Sequence, residues 1–186
     1  PNHRYRFAAA FAAIAATAAL AYASVSGPAA AQRPMQPSGE MAKQEKPIPP
    51  GTKTETATFA AGCFWCVQAD FDKVAGVLKT IPGYTGGHLK NPTYELVATG
   101  RSGHAEALEV IYDPSKVSYR ELLSWYWRHV DPTDANGQFC DRGSAYRPVI
   151  FVHSAEQRTL AEMSKSELEK AGLVGGPIVV KIVDAS

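Results

Sequence analysis

The most constraining feature of the sequence is an abrupt change from a strand pattern to a helix pattern. Residues 54–62, TETATFAAG, alternate and end in a glycine, which is typical of a strand that stops at a tight turn. Apolar residues then recur at three- and four-residue intervals, at Phe64, Val67, Phe71 and Val74. The pattern predicts a strand followed at once by a helix that packs back on a sheet.

The chain continues as an alternation of strands and helices. Residues 76–87, GVLKTIPGYTGG, predict a strand broken by Pro82, and residues 91–99 predict a short helix or loop. Residues 104–114, HAEALEVIYDP, predict a strand that ends at its Asp-Pro pair. Further strands are predicted at residues 147–152 and 177–184.

Two helices carry start signals. Ser118 and Glu121 form a capping-box sequence, and the apolar residues that follow line one face of a helix: Leu122, Leu123, Tyr126, Trp127 and Val130. Ser154 and Gln157 predict the start of a charged helix that ends before Gly172. Together with the strands, these helices predict an α+β sandwich with helices on one face of a mixed sheet, near the split βαβ arrangement.

The first 53 residues differ from this pattern. Residues 1–31 run from basic residues through an Ala-rich apolar segment to small residues, which is the order of a signal peptide. A membrane anchor at residues 7–25 is the alternative, although Ala is only weakly apolar. Residues 32–53 are rich in Pro, Gln, Lys and Glu, which predicts a flexible linker. We therefore expect an exported, periplasmic or secreted protein with one folded domain at residues 54–186.

Charge and cysteine count narrow the function classes. Without residues 1–31, which contain two arginines and no acids, the formal charge changes from +1 to −1. That balance disfavours nucleic acid as a partner. The three cysteines, Cys63, Cys66 and Cys140, all lie in the predicted domain. An odd number in an exported protein indicates at least one free or exchanging thiol.

Cys63 and Cys66 lie where the predicted helix begins. Unpaired backbone N–H groups and the positive end of the helix dipole favour the thiolate of Cys63, whereas Cys66 is better placed to attack Cys63 afterwards. A redox-inert buried pair and half of a zinc site are alternatives, but a zinc site requires more ligands than this pair supplies.

Two kinds of thiol enzyme fit the pair: a thiol–disulfide oxidoreductase of the thioredoxin kind, and an enzyme that attacks another oxidised substrate. A thioredoxin motif has its aromatic residue before the first cysteine. Here Phe64 and Trp65 lie between the two cysteines and can form the wall of an apolar pocket beside the sulfur. This order favours the second kind.

Other polar residues are candidates without a decisive pattern. Glu106 shares its strand face with Leu108, Val110 and Tyr112, so it could point inward as a proton donor. Glu109 lies on the opposite face, and strand parity alone favours neither carboxylate. Tyr94 and Tyr146 follow turn-like stretches and could offer hydroxyl groups to a polar oxygen. The sequence identifies no partner for His104 or His129.

Four separated motifs resemble one family. GCFWC, GYTGGHLKNPTY, TGRSGHAEALEVIYDP and QFCDRGSAYR, in this order, closely resemble the A-type peptide methionine sulfoxide reductases over residues 55–160. The resemblance implies a two-layer α+β sandwich related to the ferredoxin-like plait. It also implies reduction of the S epimer of methionine sulfoxide, free or in proteins, without a metal or an organic cofactor.

The resemblance also assigns roles by motif. It implies that Cys63 attacks the sulfoxide sulfur and that Phe64 and Trp65 hold the S-methyl group. Glu106 would protonate or hydrogen-bond the sulfoxide oxygen. Hydrogen bonds from Tyr94 and Tyr146 would assist it, and Asp141 would orient the substrate.

A second thiol is needed to remove the sulfenic acid that attack leaves on Cys63. Many family members have Gly at the position of Cys66 and use cysteines in a C-terminal tail. Residues 1–186 do not contain such a tail, so either the tail is lost or this chain is a fragment. Cys66 is therefore the first candidate for the resolving thiol, and Cys140 is the second candidate or a relay to a thioredoxin-like reductant. The remaining alternatives are a periplasmic thiol–disulfide oxidoreductase that uses Cys63 and Cys66, and a metal-binding module that uses the three cysteines.

Overall fold

The computed structural model describes residues 47–185. The predicted signal peptide and the predicted linker up to residue 46 lie outside the described residues. Residues 47–53 contain a turn but neither helix nor strand. Across residues 47–185, no helix combines the length and the hydropathy that a membrane span requires.

The described part of the chain alternates strands and helices. The strands are β1 (Glu55–Ala60), β2 (Val77–Thr85), β3 (Ala105–Tyr112), β4 (Gly137–Gln138), β5 (Asp141–Arg142), β6 (Val149–Val152) and β7 (Lys181–Asp184). The helices are α1 (Phe64–Phe71), α2 (Tyr94–Ala98), α3 (Tyr119–His129) and α4 (Ala155–Ala171), with a 3₁₀ turn at Ser144–Tyr146. The segment between α3 and β6 thus contains the small β4–β5 hairpin and this turn.

Five strands form one sheet in the order β2-β3-β1-β6-β7. β6 and β7 are parallel, whereas β1 is antiparallel to both β3 and β6, and β2 is antiparallel to β3. The sheet is therefore mixed. With its helices, it confirms the predicted α+β class.

The main core lies between the sheet and the helices α1, α3 and α4. Phe59 of β1 is fully buried at its centre and stacks on Phe71 of α1 at 5.1 Å and on Tyr126 of α3 at 5.2 Å between ring centroids. Aromatic pairs of this kind contribute about 0.5–1.5 kcal/mol each beyond the burial of their area. A smaller apolar cluster around Phe151 covers the opposite face of the sheet. The packing fixes α1, and with it the two cysteines, against β1 and β3.

The predicted helix starts are confirmed. The Ser118 hydroxyl accepts from Glu121 N at 3.2 Å, and the Glu121 carboxylate accepts from Ser118 N at 2.7 Å, which completes a capping box. Ser154 caps α4 by accepting from Gln157 N at 3.1 Å, and Gly172 ends α4 in the left-handed conformation. These local rules hold because each bond is made within one turn of its own helix.

Two strand predictions are wrong in detail. Pro82 does not break β2, which runs continuously and pairs Pro82 with Leu108. β2 is an edge strand, where a missing backbone N–H need not cost a ladder bond. The last strand begins at Lys181 rather than at residue 177. Val179 N instead donates to Pro132 O at 2.8 Å, so this backbone is joined to the loop after α3.

Candidate active site

Cys63 lies at the junction between β1 and α1, as predicted. Gly62 adopts a φ of +90° there, and a β-carbon at this position would lie 2.7 Å from Cβ of Gln138. Cys63 is the N-cap residue of α1, yet in the described part of the chain its side chain makes no capping hydrogen bond. Its half-buried sulfur is therefore left available at the start of the helix.

Glu106 accepts a backbone hydrogen bond at the start of α1, where Cys63 makes no side-chain cap. Its carboxylate accepts a hydrogen bond from Phe64 N at 3.0 Å, and the residue is only 3% exposed. Burial raises the pKa of Glu106, the bond from Phe64 opposes the rise, and the charge of Asp141 adds to it. A protonatable acid from β3 thus bonds to the backbone of the residue that follows Cys63.

The structure also shows which carboxylate of β3, Glu106 or Glu109, faces the helices. The face of Glu106 is the one that packs against the helices, because Leu108, Val110 and Tyr112 of that face belong to the main core. Glu109 points to the other face and is half-buried.

Aromatic rings form a wall beside Cys63. The Phe64 ring lies 5.9 Å from the Trp65 ring and 5.6 Å from the Tyr84 ring, measured between centroids. Trp65 is 69% exposed, so this wall is open to solvent. Tyr84 was not among the predicted site residues. The register that pairs it with Glu106 is the signal that identifies it, and that register becomes visible only when β2 and β3 are aligned.

Tyr94, Tyr146 and Asp141 converge on Glu106 from three different segments. Tyr94 is the first residue of α2, and Tyr146 ends the 3₁₀ turn. The pKa of Tyr146 is raised first by burial, then by the charges of Glu106, Tyr94 and Asp141 and by a hydrogen bond with Tyr94. Because these groups act on one another electrostatically, the predicted hydroxyl groups and carboxyl groups share one site.

The pKa of Tyr84 indicates the same grouping. Burial raises it most, and the neighbouring Glu106, Tyr94 and Glu95 raise it further. Tyr84 is therefore close enough to the same polar cluster to interact with it electrostatically, and its ring packs beside Phe64.

All three cysteines of the chain fall within the described residues, and each carries a free thiol. They line a single cavity of about 270 Å³, together with Asp141, His129 and Phe139. The cavity brings Cys140, in the β4–β5 turn, to the same space as the two cysteines of α1. Phe139 was not predicted; it is 71% exposed and has a left-handed φ of 50°.

Cys66 remains a thiol in this setting. Burial raises its pKa, and the neighbouring Cys63 sulfur raises it further through its charge and a hydrogen bond. Asp141 and Asp70 add smaller contributions. The raised pKa favours the protonated form of Cys66.

The histidines have structural partners. The His104 ring lies between Gly87 N, at 3.2 Å, and Leu89 O, at 2.8 Å. Nδ1 of His129 lies 2.8 Å from Trp125 O, and the two rings stack. Among residues 47–185, no three His, Cys, Asp or Glu side chains are grouped as a metal site. A larger groove of about 470 Å³ between α4 and β7 contains no cysteine among its lining residues.

The fold and the grouped thiols are those of an α+β thiol oxidoreductase. A sequence model of the family described as Peptide methionine sulfoxide reductase matches residues 55–186. Peptide methionine sulfoxide reductase MsrA of Ligilactobacillus salivarius is 54% identical over 131 residues, which cover 70% of this chain and 76% of that protein. The chain belongs to the peptide methionine sulfoxide reductase family, as the motifs predict.

Solved structures agree with this assignment. Methionine sulfoxide reductase A of Corynebacterium diphtheriae is similar with a TM-score of 0.63 and 35% identity, over 73% of this chain and 66% of that one. Reduced Mxr1 of Saccharomyces cerevisiae has a TM-score of 0.66 and 31% identity, over 77% and 82% of the two chains. Mxr1 has also been solved in complex with Trx2.

The protein is thus an oxidoreductase that reduces methionine sulfoxide. The comparisons give no support to the alternative of a periplasmic thiol–disulfide oxidoreductase.

Proposed function

We propose that Cys63 attacks the sulfur of methionine-S-sulfoxide while Phe64 and Trp65 hold the S-methyl group. Glu106 donates a proton to the sulfoxide oxygen, and the hydroxyl groups of Tyr94 and Tyr146 donate hydrogen bonds to it. Sulfoxide oxygen leaves poorly until it is protonated or strongly hydrogen-bonded, so this cluster supplies the acid that the reaction requires. Asp141 orients the substrate and the surrounding hydrogen bonds.

The position of Glu106 carries the proposal. A buried carboxyl group with a raised pKa accepts a hydrogen bond from the residue that follows Cys63. The acid and the nucleophile therefore meet at one helix end, where a single sulfoxide group can contact both. The assignment to the S epimer rests on the resemblance to the A-type family.

Attack forms a bond between the Cys63 sulfur and the sulfoxide sulfur, and the protonated oxygen leaves as water. Water then attacks the Cys63 sulfur, and the bond between the two sulfur atoms breaks. The products are methionine and Cys63 sulfenic acid. We propose that the Cys66 thiol then attacks the Cys63 sulfur, forming a disulfide and releasing water. Its place one turn into α1 and its hydrogen bond with Cys63 support this role. Cys140, which lines the same cavity, is the second candidate or a relay.

We infer that a thioredoxin-like dithiol reduces the disulfide and restores both thiols. The yeast relative Mxr1 forms a complex with Trx2. All three cysteines border a solvent-reachable cavity, and Cys66 and Cys140 are exposed, which supports direct access by such a partner.

Turnover of a chiral aryl methyl sulfoxide tests the first step. With dithiothreitol as the reductant, we expect wild type to reduce the S epimer, whereas Cys63→Ser should reduce neither epimer. Insulin-disulfide reduction at a comparable rate would support the thiol–disulfide alternative instead. Equal reduction of both epimers would contradict the stereochemical part of the proposal.

A matched pair of variants tests the resolving thiol. Cys66→Ser should release one methionine per chain in a single turnover and then stop when thioredoxin is the only reductant. Cys140→Ser should continue to cycle. If Cys66→Ser also cycles with thioredoxin, the resolving role belongs to Cys140.

We also propose that the fold is a two-layer sandwich related to the ferredoxin-like plait. The order β2-β3-β1-β6, with antiparallel neighbours, supports this relation, as does the packing of α1 and α3 on one face. β7 then extends the sheet at its β6 edge.

Export is a separate proposal that rests on the order of basic, apolar and small residues at 1–31. Expression of the full chain in a Gram-negative host should place a shortened protein in the periplasm. A protein of unchanged mass in the cytosol would contradict export.

A further inference from the structure

The three groups proposed to act on the sulfoxide oxygen come from distant parts of the sequence. Glu106 lies on β3, Tyr94 begins α2 after a loop, and Tyr146 lies on the 3₁₀ turn. The loop and the turn are short irregular segments, in which side-chain positions depend on tertiary contacts. The position of each hydroxyl group relative to Glu106 must therefore be fixed by other residues.

His104 fixes the loop that leads to Tyr94. Its Nε2–H donates to Leu89 O at 2.8 Å, because a carbonyl can only accept, and its Nδ1 accepts from Gly87 N at 3.2 Å. A β-carbon on Gly87 would lie 2.4 Å from His104 N, so this loop approaches the strand too closely for any other residue. The buried ring thus holds Gly87 and Leu89, at the beginning of the loop, against the start of β3, two residues before Glu106.

Arg147 fixes the turn that carries Tyr146. Its Nη1 donates to Ser144 O at 2.6 Å and to His104 O at 3.2 Å, and its Nη2 donates to Gly103 O at 2.9 Å. One guanidinium group therefore joins the 3₁₀ turn to the backbone just before β3. The half-buried position makes these bonds harder to replace with water.

We propose that His104 and Arg147 are positioning residues that set the distances of Tyr94 and Tyr146 from Glu106. This inference rests on the proposed roles of those three side chains. His104 is the shared element, since its ring holds the Tyr94 loop while its carbonyl accepts from Arg147. Neither residue reacts with the substrate; each acts through the segment that it holds.

The shape of each side chain explains why that residue type is needed. The two Nη atoms of arginine reach carbonyls on two segments at once, whereas lysine offers a single nitrogen. The two ring nitrogens of His104 serve one acceptor and one donor on opposite sides. Asparagine is shorter and matches only the Nδ1 position, so it could keep the bond from Gly87 N but would lose the bond to Leu89 O.

A double-mutant cycle tests the inference for Arg147. The full-length protein would be assayed for methionine release in a single turnover with saturating methionine-S-sulfoxide. We expect Arg147→Lys to slow this step roughly ten- to a hundredfold, because small misplacements of catalytic groups are costly. In a Tyr146→Phe background, the same change should cost less than about threefold, since the hydroxyl group it positions is already absent.

The same cycle with His104→Asn and Tyr94→Phe tests the second residue. Arg158→Lys is the matched control, because Arg158 bonds Asp184 at the far edge of the sheet, and it should leave the rate unchanged. If Arg147→Lys folds poorly, Arg147→Ala with added methylguanidinium replaces it, and recovery of the single-turnover rate supports the inference.

The possible outcomes are distinguishable. Losses that multiply in the double variants would overturn the inference, since they would show that His104 and Arg147 stabilise the fold without acting through the tyrosines. A Tyr146→Phe or Tyr94→Phe variant with a normal rate would overturn the proposed oxygen site itself, and the inference with it. Slow single variants with little further loss in the double variants support both.

Discussion

The helices α1 and α3 begin in opposite ways. At α3, Ser118 and Glu121 satisfy each other's backbone N–H groups within one turn. At α1, the N-cap is a cysteine, and the backbone N–H of Phe64 is satisfied by Glu106, which lies 42 residues further along the chain. The first arrangement needs only local sequence and stabilises a helix. The second leaves the helix without a side-chain cap and places a buried acid at its start. The helix is therefore locally less stable, but it carries the nucleophile and the acid of the proposed reaction.

Making α1 begin as α3 does should have the largest effect on activity. Cys63→Ser introduces a good N-cap residue and removes the nucleophile. We expect methionine release to fall to background while stability rises by up to about 1 kcal/mol. Sulfoxide turnover and urea unfolding measure the two effects. Cys63→Ala is the control, which should be equally inactive but should gain no stability from a cap.

Removing the remote acid is expected to have the next largest effect. Glu106→Gln retains an acceptor for Phe64 N but is a much weaker proton donor, so single-turnover reduction should slow roughly a hundredfold or more. Glu109→Gln, on the opposite face of the same strand, should change the rate little. Normal turnover in Glu106→Gln would refute the role of this carboxyl group.

The pH dependence of the reduction rate also tests the role of Glu106 as the proton donor. Because the pKa of Glu106 is raised in the folded protein, the proton donor persists to higher pH than an ordinary carboxyl group would allow. We expect the ratio of the wild-type rate to the Glu106→Gln rate to fall about tenfold per pH unit above that pKa. Taking the ratio cancels the titration of the nucleophile, and a flat ratio would contradict the assignment.

The folding stability should also depend on pH through Glu106, in the direction that its raised pKa dictates. A raised folded-state pKa means that the native protein binds this proton more tightly than the unfolded chain does. The contribution of Glu106 to stability is therefore present at low pH and is lost as the pH rises through its folded pKa. Above that pH, Glu106→Gln should unfold at a urea concentration at least as high as wild type does.

The smallest effect on activity is expected at α3. Ser118→Ala removes one half of the capping box and should cost about 1 kcal/mol of unfolding free energy. The rate of sulfoxide reduction should stay within about twofold, because α3 contributes no proposed reacting group. Ser124→Ala, in the middle of the same helix, should be close to neutral in urea unfolding.

The contrast between the local cap of α3 and the long-range contact at α1 also explains which features could be predicted from the sequence. The capping box at Ser118 and the turn at Gly62 were predicted because each depends on neighbours within a few residues. The face of Glu106 could not be derived from alternation, since both faces of β3 carry apolar residues and only the position of the helices distinguishes them. The family motif supplied that choice where strand parity could not.

Long-range pairing accounts for the remaining differences. Tyr84 joins the site only because the register of β2 and β3 sets it opposite Glu106. The continuous path of β2 through Pro82 depends on its being an edge strand, and residues 177–180 are drawn from the sheet by a bond to Pro132. His104 binds a loop 15 to 17 residues earlier in the chain, which no local pattern reveals.

Gly62 has a wider consequence. Its single hydrogen lets the β-carbon of Gln138 approach the strand end, and Gln138 in turn holds Asp131 on one side and stands two residues from Cys140 on the other. A methyl group here would displace the β4–β5 hairpin and carry Cys140 away from Cys63 and Cys66. The distance between Cys140 and the cysteines of α1 therefore depends on a residue that has no reactive side chain.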